Sequence, residues 1–287
     1  MHKRWHQAET TSLPISTESK ETMKKKTTWG SLLRLNAWVL LACLGTTQLT
    51  ANARSPSVTE IVSTTSNQPT RFTQCPHFFA QGKPPVVAPR PKLRELCYEA
   101  FAILHSGESR TPVYVAQRLN RKSVEDADEK RADKFFSDAR VPSAERAELS
   151  DYKNSGYSRG HMAPAGDMPT PAAMAQSFSL ANMVPQDAKH NGGAWAKIER
   201  DTRHYVLRAK GDVFVITGPV FTPDSPRIGA NGVMVPTYLF KLVYDQQAQR
   251  AWAHWHENKA GERAGKPISY RELVQRTGIE FLPGSGL

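Results

Sequence analysis

Long apolar runs are missing from this chain of 287 residues. No stretch approaches the roughly 20 consecutive apolar residues that a membrane-spanning helix needs, so we expect no stable membrane insertion. Internal repeats are also absent, which excludes a repeat architecture. The composition shows no bias towards disorder, because 39% of the residues are hydrophobic and 23% are charged. The chain can therefore form one soluble domain with a hydrophobic core.

The N-terminal segment, residues 1–53, has the pattern of a secretory signal peptide. Three lysines at 24–26 form a positive region, an apolar stretch runs from 37 to 49, and Ala-Asn-Ala at 51–53 is a small-residue cleavage pattern. We expect translation to start at Met23, because the preceding residues make the positive region unusually long. The pattern predicts an exported protein, periplasmic or secreted, and an uncleaved signal anchor is the alternative.

Cysteine is scarce, with three positions in the whole chain. If Cys43 leaves with the signal peptide, Cys75 and Cys97 remain, and an even count in an exported protein favours a disulfide over two buried thiols. Closing that loop would contribute about 3 kcal/mol. Lipoprotein processing at Cys43 is the alternative. Residues 54–72 are polar and predict a flexible linker, which leaves 73–287 as the folded domain.

Acidic side chains are too few to balance the basic ones, and the formal charge is +11. Residues 54–287 alone carry 31 basic and 24 acidic side chains, a net charge of +7. A basic surface attracts polyanions, of which nucleic acids are the commonest. Proteins that bind no nucleic acid can also be basic, so charge supports this partner without establishing it.

A regular alternation of strands and helices is absent, which argues against a parallel sheet. Hydrophobic patterns predict strands at 112–119, 213–216, 236–244 and 251–256. The spacing of apolar residues over 93–104 predicts a helix, and a capping box at Ser269 with Gly278 predicts another near the C-terminus. Residues 121–151 are highly charged and predict a solvated excursion. We therefore expect an α+β fold with a mainly antiparallel sheet flanked by helices.

His161 lies in a segment of turn-forming residues that runs from 151 to 165. A histidine of ordinary pKa, near 6.5, can accept a proton from water at neutral pH, which suits a general base. A single histidine in a loop is more often a surface or packing residue. The pattern is therefore consistent with a catalytic role but does not establish one.

Four side chains follow His190 at intervals of four residues: Asn191, Trp195, Glu199 and Arg203. On an α-helix this spacing aligns an amide, a carboxylate and a guanidinium along one face. Mg²⁺ accepts one or two oxygen ligands and keeps several waters, so Asn191 and Glu199 would suffice. An ordinary amphipathic helix with Trp195 in the core explains the spacing equally well.

The order of the motifs resembles that of the DNA/RNA non-specific endonuclease family, which includes Serratia-type secreted nucleases and mitochondrial endonuclease G. The motifs are Ser-Arg-Gly-His-Met-Ala-Pro-Ala (158–165), Asn-Met-Val-Pro-Gln (182–186), Asn-x-Gly-x-Trp-x-x-x-Glu (191–199) and Ile-Thr-Gly-Pro-Val-Phe (216–221). Lys241, after the Val-Pro-Thr-Tyr segment, is a further match. The resemblance covers residues from about 75 to 281 and implies the ββα-metal (His-Me finger) nuclease fold.

The resemblance implies a site built around one Mg²⁺, with Mn²⁺ as a substitute. His161 would be the general base, Asn191 the direct metal ligand, and Glu199 the carboxylate that orients metal-bound waters. Such a site would hydrolyse DNA and RNA through backbone contacts without sequence preference, leaving 5′-phosphates. The oligomeric state is left open, with a homodimer as one option.

Four further residues match the family by position. Arg159 falls on the motif arginine, and Asn182 and Arg203 would support the site or the scissile phosphate. Arg118 is a looser match for the cation that stabilises the transition state. These assignments come from the resemblance and not from spacing.

Two positions depart from the family pattern. Ser158 replaces the aspartate that usually begins the first motif, which could lower activity or shift its pH optimum. The alternative function is therefore an exported nucleic-acid-binding or uptake protein with a weakened or inactive site; hydrolysis of another phosphodiester is a third hypothesis. His190 replaces an apolar residue and is either exposed or a second metal contact. His254 and His256 share a strand face, which is more often half-solvated than metal-binding.

Overall fold

The computed structural model describes residues 71–287. The predicted signal peptide and nearly all of the predicted linker lie outside these residues. Strands occupy β1 (Leu93–Cys97), β2 (Ala102–Ser106), β3 (Thr111–Leu119), β4 (Ser158–His161), β5 (Met183–Gln186), β6 (Val213–Val220), β7 (Arg227–Ile228), β8 (Val233–Met234), β9 (Tyr238–Asp245), β10 (Arg250–Glu257) and β11 (Ile268–Ser269).

Helices are short apart from the one that follows the β4–β5 hairpin. They occupy α1 (Arg121–Glu125), α2 (Leu149–Tyr152), α3 (Pro171–Ser177), α4 (Ala188–His190), α5 (Ala196–Val206) and α6 (Tyr270–Thr277). A π-helical turn, Asn191–Trp195, joins α4 to α5. Single 3₁₀ turns lie at Pro76–Phe78, Ala80–Gly82, Ser143–Glu145, Ala165–Asp167 and Leu180–Asn182.

Seven strands form the main sheet in the order β1-β2-β3-β6-β9-β10-β11. Every neighbouring pair is antiparallel. The predicted antiparallel sheet and α+β class are thus confirmed, as are the four predicted strands, which became β3, β6, β9 and β10. The C-terminal helix α6 is also confirmed: Ser269 accepts a hydrogen bond from the amide of Glu272, and Gly278 ends the helix with φ +67°.

Both faces of the sheet are buried. Ala102 and Leu104 pack into one hydrophobic core, and Ile103 packs into the other, so consecutive residues of β2 enter different cores. This arrangement makes the predicted helix at 93–104 wrong, because the segment is the β1–β2 hairpin. Where both faces of a strand are covered, apolar residues no longer alternate with polar ones, and their spacing can imitate a helix.

The start of the described chain is tied to the sheet. Cys75 and Cys97 form the predicted disulfide, with Cα atoms 5.9 Å apart. The backbone amides of Arg71 and Phe72 donate to the carboxylate of Glu95 at 2.7 and 2.8 Å. Phe72 is 1% exposed, so the core includes a residue that the predicted linker contained. No helix in residues 71–287 is both long and apolar enough to span a membrane.

Candidate active site

The segment around His161 forms a hairpin that leads directly into a helical region. Strand β4 pairs antiparallel with β5, with Ser158 opposite Gln186 and His161 opposite Met183. The chain then continues through α4, the π-helical turn and α5. Two strands followed by a helix make up the ββα unit that the motif order implied.

Gly160 allows the two strands to pack closely at the motif. A Cβ at this position would lie 2.0 Å from Oε1 and 2.7 Å from Cβ of Gln186, so any larger residue would collide with β5. The Arg-Gly-His sequence therefore has a steric reason for its glycine. The side chain of Gln186 fills the space directly beside the residue that precedes His161.

His161 is 8% exposed at the end of β4. Its ring packs edge-on against Phe178, with centroids 5.0 Å apart, and lies 6.0 Å from the ring of Phe135. Burial, together with Arg131 and Arg159, lowers the pKa of His161 to about 3. The imidazole is therefore neutral at pH 7. Nε2 is buried and has no hydrogen-bond partner.

Part of the segment at 121–151 covers this histidine. The guanidinium of Arg159 stacks 4.0 Å above the Phe135 ring, and that of Arg131 lies 4.9 Å from the Phe178 ring centroid. The prediction of a solvated excursion is wrong at Phe135, because this side chain of the segment packs against His161 and Arg159 of the motif strand. The charged residues around it remain exposed, which is why the sequence looked solvated.

The helix after the hairpin carries the predicted ladder, but its first turn is π-helical and not α-helical. Trp195 is fully buried, whereas Asn191 and Glu199 are partly exposed. The side-chain amide of Asn191 makes no hydrogen bond within residues 71–287. A π-helical turn changes the alignment of side chains four residues apart, and such turns often occur at functional sites.

Glu199 has an environment that favours its neutral form. Burial raises its pKa to about 7, although the nearby Lys241 acts in the opposite direction. Lys241 is 1% exposed and donates to Oγ1 of Thr217 at 2.8 Å, and burial lowers its pKa. Arg131 acts electrostatically on both Glu199 and His161, so one guanidinium lies within range of the two groups.

Arg203 fixes the far end of α5 to the loop after β4. Its Nη1 donates to Oδ1 of Asp167 at 2.9 Å, and Oδ2 of the same buried carboxylate lies 3.4 Å from Nε2 of Gln117. Arg203 is therefore engaged by a carboxylate while its side chain remains 22% exposed. The arrangement suits support of the site, and leaves part of the guanidinium available to an anion.

Asn182 is fully buried, and all its polar contacts are to the backbone. Oδ1 accepts from the amide of Ala163, and Nδ2 donates to the carbonyls of Ala163 and Ser177, each at 2.9 Å. These bonds hold the chain directly after His161. Of the two predicted roles, support of the site and contact with the phosphate, this geometry favours the first.

Arg118 is paired with Asp212. Its Nη1 lies 3.8 Å from Oδ2 of Asp212, and the side chain is 41% exposed. It lines a cavity of about 180 Å³ together with His77 and Asp167. Asp167, which accepts from Arg203, lines the same cavity as Arg118.

His190 does not have either of the two predicted environments. It is 1% exposed, and both of its ring nitrogens make hydrogen bonds. Nδ1 of His190 lies 3.1 Å from the side-chain amide nitrogen of Gln186. Nε2 of His190 lies 3.4 Å from Nδ1 of His256. Burial and the neighbouring His256 lower its pKa to about 4, so the ring is neutral at pH 7. The expectation for His256 is also corrected, since it is 4% exposed and not half-solvated.

The available donors fit Mg²⁺ better than a softer metal. The Asn191 amide and the Glu199 carboxylate supply oxygen atoms, and neither makes a hydrogen bond within the described chain. No group of three or more His, Cys, Asp or Glu side chains in residues 71–287 is arranged to hold a metal ion. Mg²⁺ needs no such cage, because it keeps several of its waters.

Two residues of this site, Asp167 and Arg131, are not among the candidates expected from the sequence, and Lys241 was matched to the family without a role. Lys241 is a single charge inside the apolar strand β9, and its position after the Val-Pro-Thr-Tyr segment was the signal that matched it to the family. Asp167 follows the first motif by only a few residues but belongs to no spacing pattern. Arg131 has no sequence signal, because it is one of many charges in its segment.

The hairpin, the helix and the free oxygen donors define the class as a ββα-metal nuclease fold. The family model for DNA/RNA non-specific endonucleases matches residues 86–285. The chain therefore belongs to the DNA/RNA non-specific endonuclease family.

Proteins of similar sequence support the assignment to this family. Mitochondrial nuclease EXOG from Xenopus laevis is 39% identical over 158 residues, covering 51% of this chain and 44% of that protein. Nuclease C1 from Cunninghamella echinulata is 34% identical over 169 residues, covering 54% and 67%. Human mitochondrial endonuclease G is 31% identical, covering 50% and 52%. The chain thus spans about half the length of most of the relatives described here.

A solved structure supports the fold. A chain of the EndoG/EndoGI complex superposes with a TM-score of 0.61 at 23% identity, covering 75% of this chain and 92% of that chain. At this identity the likeness shows the fold alone.

Proposed function

We propose that this protein is an endonuclease that hydrolyses phosphodiester bonds of DNA and RNA without sequence preference. The observation that carries the proposal is the neutral imidazole of His161 on a ββα unit whose helix presents the unengaged oxygens of Asn191 and Glu199. The net charge of +7 over residues 54–287 favours a polyanionic substrate. Contacts through the backbone explain why base identity would not matter.

His161 would act as the general base that accepts a proton from the attacking water. A ring with a pKa of about 3 is a weak base, but a bound phosphodiester brings negative charge, which raises the pKa of a neighbouring imidazole. The aromatic rings of Phe135 and Phe178 fix the orientation of His161. Asn182 holds the backbone that follows it.

Asn191 would bind Mg²⁺ directly, and Glu199 would orient its waters. When bound, the ion would neutralise developing charge on the phosphate, and either Mg²⁺ or Mn²⁺ could serve. Arg203 and Arg159 would place positive charge beside the scissile phosphate. Products would carry 5′-phosphates.

The test is degradation of plasmid DNA and RNA by the purified protein with and without Mg²⁺. We expect His161→Ala to lower the rate at least about 100-fold, since a general base contributes 10²–10⁴-fold. His204→Ala is the matched control, because His204 is an exposed histidine on α5. Full activity of His161→Ala would overturn the assignment of the base, and mass analysis of the cut ends would test the 5′-phosphate.

Ser158 supports a second candidate, a nucleic-acid-binding protein with a weakened or inactive site. The serine is the first residue of β4, the strand that ends at His161, and it cannot supply the charge of the usual aspartate. This candidate predicts salt-sensitive DNA binding without cleavage under any divalent ion. Comparing the wild type with Ser158→Asp separates the two, because a weakened nuclease gains activity from the carboxylate and a pure binder does not.

Export is also a proposal, supported by the signal pattern at 1–53 and the Cys75–Cys97 disulfide. Several relatives are named mitochondrial. Fractionation of expressing cells, with sequencing of the mature N-terminus, distinguishes a cleaved exported protein from a retained one. Sedimentation of the purified protein tests the homodimer.

A further inference from the structure

His190 and His256 form a buried pair next to the proposed metal ligand. The rings lie 5.5 Å apart with an interplanar angle of 24°, and the buried ring of Trp195 contacts both. His190 directly precedes Asn191 at the start of the π-helical turn. The family resemblance gave this pair no role, because the position before the metal asparagine is commonly apolar.

The pair belongs to a row of three side chains, Gln186, His190 and His256, which crosses the ββα unit. Gln186 packs against Gly160 of the motif strand and donates from Nε2 to Nδ1 of His190. A neutral His190 then carries its proton on Nε2. This N–H group points towards Nδ1 of His256 on the main sheet. The row therefore connects the strand of the base, the start of the helix and strand β10.

Two other polar side chains, Glu262 and Asn258, lie near the row, but neither joins His190 to His256. Oε2 of Glu262 lies 3.8 Å from Nδ1 of His256, which is beyond hydrogen-bonding distance. Asn258 bonds the backbone of Asp187 and Pro185, which ties the end of β5 to the sheet. That tie fixes the backbone before α4, and Asp187 caps the following turn by accepting from the amide of His190 at 2.8 Å. The contact between the two rings is the further link from this turn to the main sheet.

We propose that His256 is a positioning residue which, through His190, sets the direction in which Asn191 presents its amide oxygen to the metal. This inference rests on the proposed function, because it requires Asn191 to be a metal ligand. Groups that orient a ligand commonly change metal affinity by 10–100-fold when removed. His256 touches neither the substrate nor the metal.

The experiment measures Mn²⁺ binding directly, by electron paramagnetic resonance of the free ion, in the absence of nucleic acid. We expect His256→Ala to raise the dissociation constant about tenfold or more. His256→Asn should stay within about threefold of the wild type, because its amide can place a polar atom where Nδ1 stands. His254→Ala is the control, as it removes a ring from the same strand face that does not contact His190.

His190→Leu removes the same contact from the other side and serves if His256→Ala does not fold. The double variant His190→Leu/His256→Ala should bind no more weakly than the worse single variant, since both remove one interaction. The inference also predicts that the KM for DNA at saturating Mn²⁺ is unchanged. Purely structural damage would instead lower the melting temperature and give equal losses in His256→Asn and His256→Ala.

Two results overturn the inference while the proposed function stands, and a third overturns both. In the first, folded His256→Ala binds Mn²⁺ as the wild type does, which removes His256 from the site and leaves the proposed function standing. In the second, His256→Asn is as impaired as His256→Ala, which shows that ring packing and not the polar contact matters. If the wild type binds no Mn²⁺, the metal assignment of the proposed function is wrong and this inference falls with it.

Discussion

Burial shifts the pKa values of His161 and Glu199 in opposite directions. Because it disfavours the charged form of each group, it lowers the pKa of the imidazole to about 3 and raises that of the carboxyl to about 7. Both groups are thereby kept neutral over part of the physiological range. An anionic substrate and a cation would reverse both shifts, so the groups are poised to respond to binding.

The first prediction at the residue scale concerns pH. Below pH 7 Glu199 is protonated and uncharged, so we expect activity to fall as the pH drops through about 7 at low Mg²⁺. A higher Mg²⁺ concentration should move this fall to lower pH, because the cation competes with the proton. The profile is taken as kcat/KM, which reports the free enzyme, and His161 should not cause the fall there because its ring is neutral down to a pH of about 3 in the absence of substrate. The measurement is a pH–rate profile at two Mg²⁺ concentrations.

Glu199→Gln provides the control for this profile. The amide cannot titrate, so its residual activity should lack the dependence on pH near 7. A fall at the same pH in both proteins, or one that ignores Mg²⁺, would contradict the assignment to Glu199.

At the scale of elements, the β4–β5 hairpin and the helical region act as one unit. The helix is attached to the hairpin near each of its ends, through Gln186 and His190 at the start and through Asp167 and Arg203 at the far end. Asn191 and Glu199 lie between these two attachments. The positions of the proposed ligands therefore depend on how closely β4 and β5 pack.

Gly160→Ala tests this dependence. The added Cβ would collide with Gln186, and we expect a loss of about 1–3 kcal/mol in the free energy of unfolding, which urea denaturation measures. Activity at a temperature where the variant is folded should also fall, because the displaced Gln186 contacts His190, the residue before the proposed metal ligand. Gly193→Ala is the control, as nothing lies within 4 Å of its added Cβ; a similar loss in both would refute the steric argument.

At the scale of the whole molecule, the disulfide attaches the first described residues to the edge strand β1. Phe72, Phe78 and Phe79 from this segment enter the same core as the strands β3, β6 and β9. The segment contributes to one face of the sheet, whereas the candidate active site lies over the other. We therefore expect the disulfide to affect stability more than catalysis.

Replacing both cysteines by serine should reduce the free energy of unfolding by about 3 kcal/mol, because the unfolded chain gains the freedom of an open loop. The rate of DNA cleavage at 25 °C should change little. Denaturant melts and cleavage assays of the double variant check the two parts. A stable but inactive variant would show that this segment serves the site instead.

The sequence alone determined the order of motifs, the antiparallel strands and the identity of His161, Asn191 and Glu199 as candidates. These are local or ordered features, and a strand such as β6 is recognisable because its apolar run is continuous. The sequence predicted a helix at 93–104 where the structure has strands. Residues of this segment are buried in two different cores, and the resulting spacing of apolar residues resembles that of a helix.

Only the tertiary structure decided which of these residues meet. Lys241 lies near Glu199 because the helical region packs on the sheet face that carries Leu239 and Lys241 of β9. Arg131 acts on both proposed catalytic groups because its segment packs against the motif strand. His190 and His256 are 66 positions apart and contact each other through the packing of a helix on a sheet. Their burial, and the pKa shifts of His161 and Glu199, depend on desolvation by distant parts of the chain, which no local pattern contains.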